Sequence, residues 1–333
     1  MDLNNTLNMF KKFNFTGLLF IQWTWMELRL WVQRVVKWNL RKITGLCELQ
    51  RIAYGETPGA ARSSNIERSL MMSRSSEIQK LISYLDRAAN EGRFSATKSS
   101  NDLIISKAVK AVMQIKLIKP SVHQQFVISL EKCIQKIWSY RQLLNDLESL
   151  RTTSYNSENS EHEEKLIKLW KSLRPNEELS DRISRQWQEI GFQGDDPKTD
   201  FRGMGILGLE NLLYFAIDYP EAARHVLSRS NHPRLGYSFA IVGINLTSMA
   251  INLFRDGSAK YHIYNTCQFG SHIETFHKFY CYLFLEFDKF WLSEKPRDVM
   301  EFGKIRDRFE KKIRVELSDL KVQFKLNVAV ETI

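Results

Sequence analysis

Glycine and proline are scarce in this chain, with 15 and 7 among its 333 residues. Both residues interrupt helices, so their scarcity, together with long stretches rich in Leu, Lys, Glu and Arg, predicts an all-α fold. Cysteine is also rare. The four cysteines are widely separated and form no CxxC pair, which argues against a zinc ribbon and against a disulfide-stapled secreted domain. A reducing, cytoplasmic environment is expected.

Long apolar runs are missing as well. The stretch Phe13–Met26 carries no charge but is only 14 residues long, whereas a membrane span needs about 20 apolar residues. No small-residue cleavage site follows it, so we expect neither a transmembrane helix nor a signal peptide. The apolar stretch Tyr237–Phe254 contains Asn, Thr and Ser and is predicted to be a buried core helix.

Positive charge is what the chain has in excess. The net charge is +10, and residues 1–62 hold nine Lys/Arg against four Asp/Glu. Such a balance indicates an anionic partner, either a nucleic acid, a phospholipid surface or a nucleotide-bearing protein. No nucleic-acid-binding motif accompanies the charge, so nucleic acid is not the expected partner.

The basic N-terminal region has the pattern of an amphipathic helix over residues 27–42. Leu28, Trp31, Val32, Val35, Val36 and Trp38 share one face, and Gln33, Arg34, Lys37 and Arg41 share the other. Tryptophan beside basic residues is typical of a helix at an anionic membrane interface. We therefore predict a membrane-binding set that comprises Trp23, Trp25, Trp31, Trp38, Arg34, Lys37 and Arg41. The alternative is that this helix packs on the main domain as a core element.

The pattern of helices and polar segments divides the chain into five parts. These are an N-terminal extension with the amphipathic helix (1–53), a linker (54–76), a helical part packed on the core (77–135), one large multi-helix domain (136–320) and a tail (321–333). Within the large domain, apolar spacing predicts helices that include Leu179–Ile190. The linker is expected because Gly, Pro and Ser cluster there.

One stretch, Trp187–Gly208, concentrates glycine and acidic residues in this otherwise glycine-poor chain. Asp196-Pro197 and Gly203-Met204-Gly205 predict a loop between two helices. Gly203–Gly208 also matches the bare dinucleotide pattern GxGxxG, but no β-branched run precedes it, so a nucleotide cofactor is not expected. No metal site is predicted either, because His162-Glu163-Glu164 lacks a second histidine at helical spacing.

Arg202 lies near the end of this loop and has two possible roles. In the first it locks the loop by a forked interaction with Asp195, Asp196 or Asp200. In the second, the flanking Gly203 and Gly205 project its guanidinium toward an external phosphate. The residue types alone do not decide between these roles.

The same stretch resembles the signature W-x3-GFQ-x2-DP-x-TDFRG-x-G-x-L of ELMO domains. The matching positions are Trp187, Gly191, Phe192, Gln193, Asp196, Pro197, Thr199, Asp200, Phe201, Arg202, Gly203, Gly205 and Leu207. Similarity to ELMO domain-containing proteins continues in CELQRI from Cys47, in HEEKLIKLWKSLRP before the loop and in LSRSNHPRLGYSFAIVGINLT after it. It covers the chain from about Trp31 to about Lys312.

This resemblance implies an all-helical fold and GTPase-activating activity toward Arf-family and Arf-like GTPases. The arginine of the motif, which falls on Arg202, is implied as the residue required for activation, and the other motif residues are taken as the loop scaffold. A guanidinium supplied in trans neutralises charge that develops on the phosphate oxygens. The magnesium and the water-orienting glutamine belong to the GTPase, so this chain needs no cofactor, and Gln193 is assigned to loop structure.

The expected partners are therefore an Arf-family or Arf-like GTPase in its GTP form and a membrane or lipid-droplet surface. The expected location is peripheral on endoplasmic reticulum, lipid droplets or mitochondria. The alternative function is a noncatalytic adaptor that binds a small GTPase or an exchange factor.

Overall fold

The structure is a computed structural model that describes residues 28, 32, 35–94, 98–267 and 270–326. Every regular element in those residues is helical, which confirms the predicted all-α class. The chain divides after Glu56 into two compact units. In the first unit, residues 35–44 form the helix α1 and Glu48–Gly55 form α2.

The second unit contains the remaining helices. In chain order they are α3 (Ala60–Met71), α4 (Ser76–Asn90), α5 (Lys98–Ile115), α6 (Gln124–Thr152), α7 (Ser160–Leu173), the 3-10 helices η1 (Arg185–Ile190) and η2 (Pro197–Gly203), α8 (Gly205–Asp218), α9 (Pro220–Ser230), α10 (Phe239–Arg255), α11 (Lys260–Thr266), α12 (Ile273–Glu294), η3 (Val299–Glu301) and α13 (Phe302–Leu317).

Two helices organise this second unit. The 29-residue helix α6 contacts α3, α4 and α5, which precede it, and α8, α10 and α12, which follow it. Helix α8 contacts α6, α7, α9, α10 and α12, and nine of its fourteen residues are buried. A helix that is apolar on most of its circumference belongs in a core. The loop that ends where α8 begins is therefore attached directly to the centre of the unit.

Helix α10 confirms the prediction of a buried core helix for Tyr237–Phe254. Twelve of its seventeen residues are buried, and the polar Thr247 is satisfied there because its Oγ1 accepts a hydrogen bond from Asn211 Nδ2 at 2.9 Å. In the described part of the chain, no helix is both long enough and apolar enough to cross a membrane.

The linker predicted for 54–76 is wrong, because α3 occupies Ala60–Met71 within it. Gly59 adopts a φ of 108° and begins the helix, where Ala60 N donates to Asn265 Oδ1 at 2.8 Å. Ile66 and Leu70 then bury one helical face. Small and polar residues look like a linker in sequence, but here their apolar neighbours recur at helical spacing and pack.

The structure also differs from the sequence-based expectations at a helix start and at a part boundary, and it adds a contact of the tail. The predicted helix Leu179–Ile190 is wrong in its first half, since only Arg185–Ile190 is helical and as a 3-10 turn. The predicted boundary at residue 136 falls inside the continuous helix α6. In the tail, Phe324 packs on the body of the unit, with its ring 4.3 Å from that of Tyr282 and its amide donating to His262 Nδ1 at 3.0 Å.

Candidate functional site

The segment Trp187–Gly208 forms the second part of the connection between α7 and α8 and the first residues of α8. The connection contains two short 3-10 helices, η1 and η2, each with a side-chain cap. Ser184 Oγ accepts from Gln186 N at 3.3 Å at the start of η1. Asp196 Oδ1 accepts from Lys198 N at 3.0 Å at the start of η2, where Pro197 takes the first helical position. Proline suits that position because its missing N–H would have no helical partner there. The predicted loop is therefore present and locally capped.

A chain of buried aromatic rings holds the segment from beneath. Between ring centroids, Trp187 lies 5.6 Å from Trp170 of α7 and 5.9 Å from Phe192. Phe201 in turn lies 5.6 Å from Phe192 and 5.4 Å from Tyr155. All five residues are buried. Aromatic pairs at such distances stabilise beyond their buried area, so three motif residues form part of the hydrophobic core.

Two motif glycines sit where no side chain fits. Gly191 has a φ of 85°, and a Cβ there would lie 2.2 Å from Phe239 N. Its carbonyl accepts from Ile241 N at 3.3 Å and so contributes to the cap of α10. Gly205 has a φ of 54°, and a Cβ there would lie 2.4 Å from carbonyl oxygens at the end of α6. Gly205 therefore packs against the end of α6, where it positions the start of α8.

Two acidic residues of the loop, Asp195 and Asp200, are engaged by neutral groups near them in sequence. Asp200 Oδ2 accepts from Gln193 N at 2.9 Å, and Asp195 Oδ1 accepts from Gln188 Nε2 at 3.0 Å. Burial raises the pKa of the Asp200 carboxyl, the Gln193 amide opposes that rise, and the charge of Asp196 adds to it. The backbone of Gln193 therefore takes part in the hydrogen bonding of the loop. Of the other motif residues, Thr199 is exposed.

The arginine that locks the loop is Arg182, which the sequence analysis did not single out. Its guanidinium contacts Glu163 of α7, with Nη2 to Oε1 at 3.1 Å, and reaches Asp196 Oδ1 from Nη1 at 3.0 Å. Its carbonyl accepts from Trp187 Nε1 at 2.9 Å. The hydroxyl of Tyr155 donates to Glu163 Oε1 at 2.6 Å. Partial burial lowers the pKa of Arg182, but the hydrogen bonds to Glu163 and Asp196 outweigh it and raise that pKa overall.

Arg202 has a different environment. Its side chain is exposed, and within the described ranges of the chain it makes no hydrogen bond and no ion pair. The preceding residue, Phe201, is buried in the aromatic chain, and the following one, Gly203, has no neighbouring atom within 4 Å of an added Cβ. The lock to Asp195, Asp196 or Asp200 that the sequence allowed is therefore not formed. The second role, with a guanidinium directed to an external group, is compatible with this geometry.

The predicted membrane-binding residues are described only in part. Four of them, Trp23, Trp25, Trp31 and Arg34, lie outside the described residues. In α1, Trp38 is 58% exposed and Lys42 Nζ lies 4.1 Å from the centroid of its ring. Lys37 pairs with Glu48 at 2.9 Å, and Arg41 is exposed.

With the loop and its frame in place, the all-helical unit has the architecture and signature segment of an ELMO-type domain. The model of the ELMO/CED-12 family matches residues 145–306, which include the whole segment from Trp187 to Gly208. The chain is 46% identical over 300 residues to ELMO domain-containing protein 2 of Homo sapiens, a match that covers 90% of this chain and 95% of that protein. The chain belongs to the family of ELMO domain-containing proteins.

Other relatives show the same extent of similarity. Identity to ELMO domain-containing protein 1 of Homo sapiens is 44% over 315 residues, with 87% of this chain and 89% of the relative covered. Identity to ELMO domain-containing protein B of Dictyostelium discoideum is 33% over 288 residues, with 86% and 96% covered. The similarity thus extends well beyond residues 145–306 and covers most of this chain and of each relative.

Proposed function

We propose that this chain is a GTPase-activating protein for Arf-family or Arf-like GTPases, and that Arg202 is the residue it supplies to GTP hydrolysis. The observation that carries the proposal is the contrast around the loop. The backbone of the ELMO signature is fixed by aromatic packing, by Gly205 and by Arg182, whereas the Arg202 guanidinium has no partner among the described residues. A cation on a rigid base is suited to meet charge on another molecule.

The chemistry of hydrolysis fits a guanidinium at this position. Negative charge shifts onto the phosphate oxygens as the bond to the γ-phosphoryl group breaks, and a planar, multi-donor cation neutralises it with fixed geometry. Arg202 would contact the phosphate oxygens directly, with its position set by the packed Phe201 beside it. The GTPase provides the magnesium and orients the water, so this chain contributes charge and a docking surface.

The direct test is single-turnover GTP hydrolysis by an Arf-like GTPase with and without the full chain. Stimulation of hydrolysis supports the proposal. Saturable binding of the GTP-loaded protein with no change in its hydrolysis rate would instead establish the noncatalytic adaptor. Neither binding nor stimulation across a panel of Arf-family and Arf-like GTPases would contradict both functions.

The site of action that we propose is a membrane surface, whether endoplasmic reticulum, lipid droplet or mitochondrion, reached through α1. Trp38 is exposed there beside Lys42, and an indole next to a lysine is suited to the headgroup region of an anionic bilayer. Flotation with anionic vesicles tests this in the full chain. Trp38→Glu should reduce binding, whereas Val122→Glu, which alters an exposed apolar residue of the second unit, should not. Equal binding by both variants would contradict a role of α1 in membrane binding.

A further inference from the structure

A cleft of about 660 Å³ opens on the second unit, beside the signature loop but separate from Arg202. The loop Ser230–Ser238 forms one wall, Gln188 and Gly191 form a second, and residues 297–299, which follow α12, form a third. Small-molecule sites in proteins occupy roughly 300–1,000 Å³. The cleft is therefore large enough for a phosphorylated sugar or a lipid headgroup rather than a single ion.

The cleft is rich in hydrogen-bond donors. Arg234 and Arg297 both line it, both are exposed, and in the part of the chain that the structure describes neither guanidinium has a hydrogen bond or ion pair. One carboxylate, that of Asp298, also lines the cleft, but its Oδ1 accepts from Met300 N at 2.8 Å as the cap of η3. The two arginines thus leave an unbalanced positive charge at the opening.

His232 adds a donor whose orientation is set by the backbone. Its Nδ1 lies 3.2 Å from the amides of Arg234 and Leu235 and accepts from both. Because Nδ1 is an acceptor, the proton of the neutral imidazole resides on Nε2. The ring therefore offers an N–H at Nε2 in its neutral and in its protonated form.

The wall that carries these donors is fixed before any ligand arrives. Tyr237 N donates to Ser230 O at 2.8 Å, and a Cβ at Gly236 would lie 2.5 Å from that same oxygen. From the core, Trp291 Nε1 donates to Leu235 O at 2.7 Å, and Tyr237 OH donates to the buried Asp288 at 2.8 Å. A loop held at both its backbone and its side chains loses little entropy when it binds a ligand.

We propose that this cleft binds a phosphomonoester group, carried either by a soluble phosphorylated ligand or by the headgroup of an anionic lipid. Two guanidinium forks and an imidazole N–H match the several oxygens of a tetrahedral phosphate, whereas a single carboxylate has two oxygens and occupies one fork. The site does not depend on GTPase activation, because none of its donors belongs to the Arg202 loop. Gln188 and Gly191 make it a neighbour of that loop.

Binding of inositol trisphosphate to the full chain, measured by calorimetry in low and moderate salt, tests the proposal. We expect saturable binding at one site, weakened about tenfold by Arg234→Gln or by Arg297→Gln. Arg87→Gln is the matched control, because it changes the net charge equally and the Arg87 side chain, exposed on α4, has no hydrogen-bond or ion-pair partner within the described residues. It should leave the affinity unchanged.

A second arm separates the two sources of the phosphate. Vesicles of phosphatidylcholine with and without phosphatidylinositol bisphosphate are tested with the same variants. Loss of the lipid-dependent binding in Arg297→Gln but not in Arg87→Gln assigns the site to a headgroup, whereas loss of inositol trisphosphate binding alone assigns it to a soluble ligand. Equal weakening by all three substitutions, no binding of either probe, or Arg297-dependent binding of an acidic peptide without phosphate binding would overturn the proposal.

Discussion

Arg182 and Arg202 both lie in the connection between α7 and α8, but their side chains have opposite environments. Arg182 is less than a quarter exposed and joins Glu163 to Asp196. Arg202 is exposed and has no intramolecular partner within the described part of the chain. An arginine thus joins two parts of the protein at position 182, whereas the arginine at position 202 is available to another molecule.

The difference separates what makes the loop rigid from what the loop presents. A positioned cation is useful to a partner only if its backbone does not have to be reorganised on binding. Here the rigidity comes from Arg182, the packed rings and Gly205, so Arg202 is not needed for the fold of the loop. Substitutions should therefore fall into two groups, those that affect stability and those that affect only the partner's reaction.

The largest effect is expected for Arg202→Lys. Lysine keeps the charge but loses the planar fork, so the stimulated single-turnover rate should fall about 10³-fold, which is about 4 kcal/mol in the barrier. The melting temperature should not change, since Arg202 has no partner to lose among the residues that the structure describes. Arg185→Lys, at another exposed arginine of the same segment, is the control and should retain activity. Loss of stability in Arg202→Lys would show that Arg202 has a structural role.

The next effect concerns the glycines. Gly205→Ala should lower the free energy of unfolding by about 3 kcal/mol, because alanine is strained at positive φ and its Cβ would press on carbonyl oxygens of α6. Gly203→Ala should be tolerated, since space is open there. Urea titrations of both variants measure the difference. Similar unfolding midpoints for the two would contradict the assignment of Gly205 as a closure point.

Arg182→Gln should cost about 2 kcal/mol of stability, because it leaves the half-buried carboxylates of Glu163 and Asp196 without their shared cation. GTPase stimulation should fall as well, through misplacement of the loop. Arg174→Gln is a useful control, as Arg174 pairs with the more exposed Glu177. If Arg182→Gln were as stable as Arg174→Gln, the ion pairs of Arg182 would contribute little to the free energy of unfolding.

The smallest effect is expected for Asp200→Asn, and it depends on pH. The folded pKa of Asp200 lies above its ordinary 3.8, chiefly through burial. Ionisation therefore costs stability, fully so above the folded pKa and not at all below 3.8. At neutral pH the asparagine variant should be more stable by less than about 1 kcal/mol, since the carboxyl is half exposed. The gain should shrink as pH falls toward 3.8, and a gain that grew on acidification would contradict it.

Local sequence was enough to predict the all-helical fold, the buried α10 and the loop at Trp187–Gly208, because each depends on residue periodicity or on Gly and Pro within a few positions. The clamp at Arg182 was not predictable in that way. Its partner Glu163 is 19 residues earlier, on helix α7, so only the folded chain brings them together.

The same limit applies to Gly205. Its sequence neighbours indicated a loop glycine beside Arg202, whereas the structure packs it against the end of α6, about 54 residues earlier in the chain. The carboxylates expected to bind Arg202 are engaged elsewhere. Asp196 is bound by Arg182, and the other two accept hydrogen bonds from Gln188 and Gln193. The resemblance to the motif therefore pointed to the residue, and only the tertiary structure shows which intramolecular bonds the residue does not form.

In the function proposed above, Arg202 stabilises the transition state of the partner's reaction and does not stabilise the fold of its own loop. The most direct test is complex formation between the full chain and an Arf-like GTPase loaded with GDP and aluminium fluoride, which mimics that state. We expect the Arg202→Lys variant to bind this form much more weakly than the native chain does. The same variant should bind the GTP-analogue form of the GTPase as well as the native chain does. Equal affinity of both proteins for the aluminium fluoride form would contradict it.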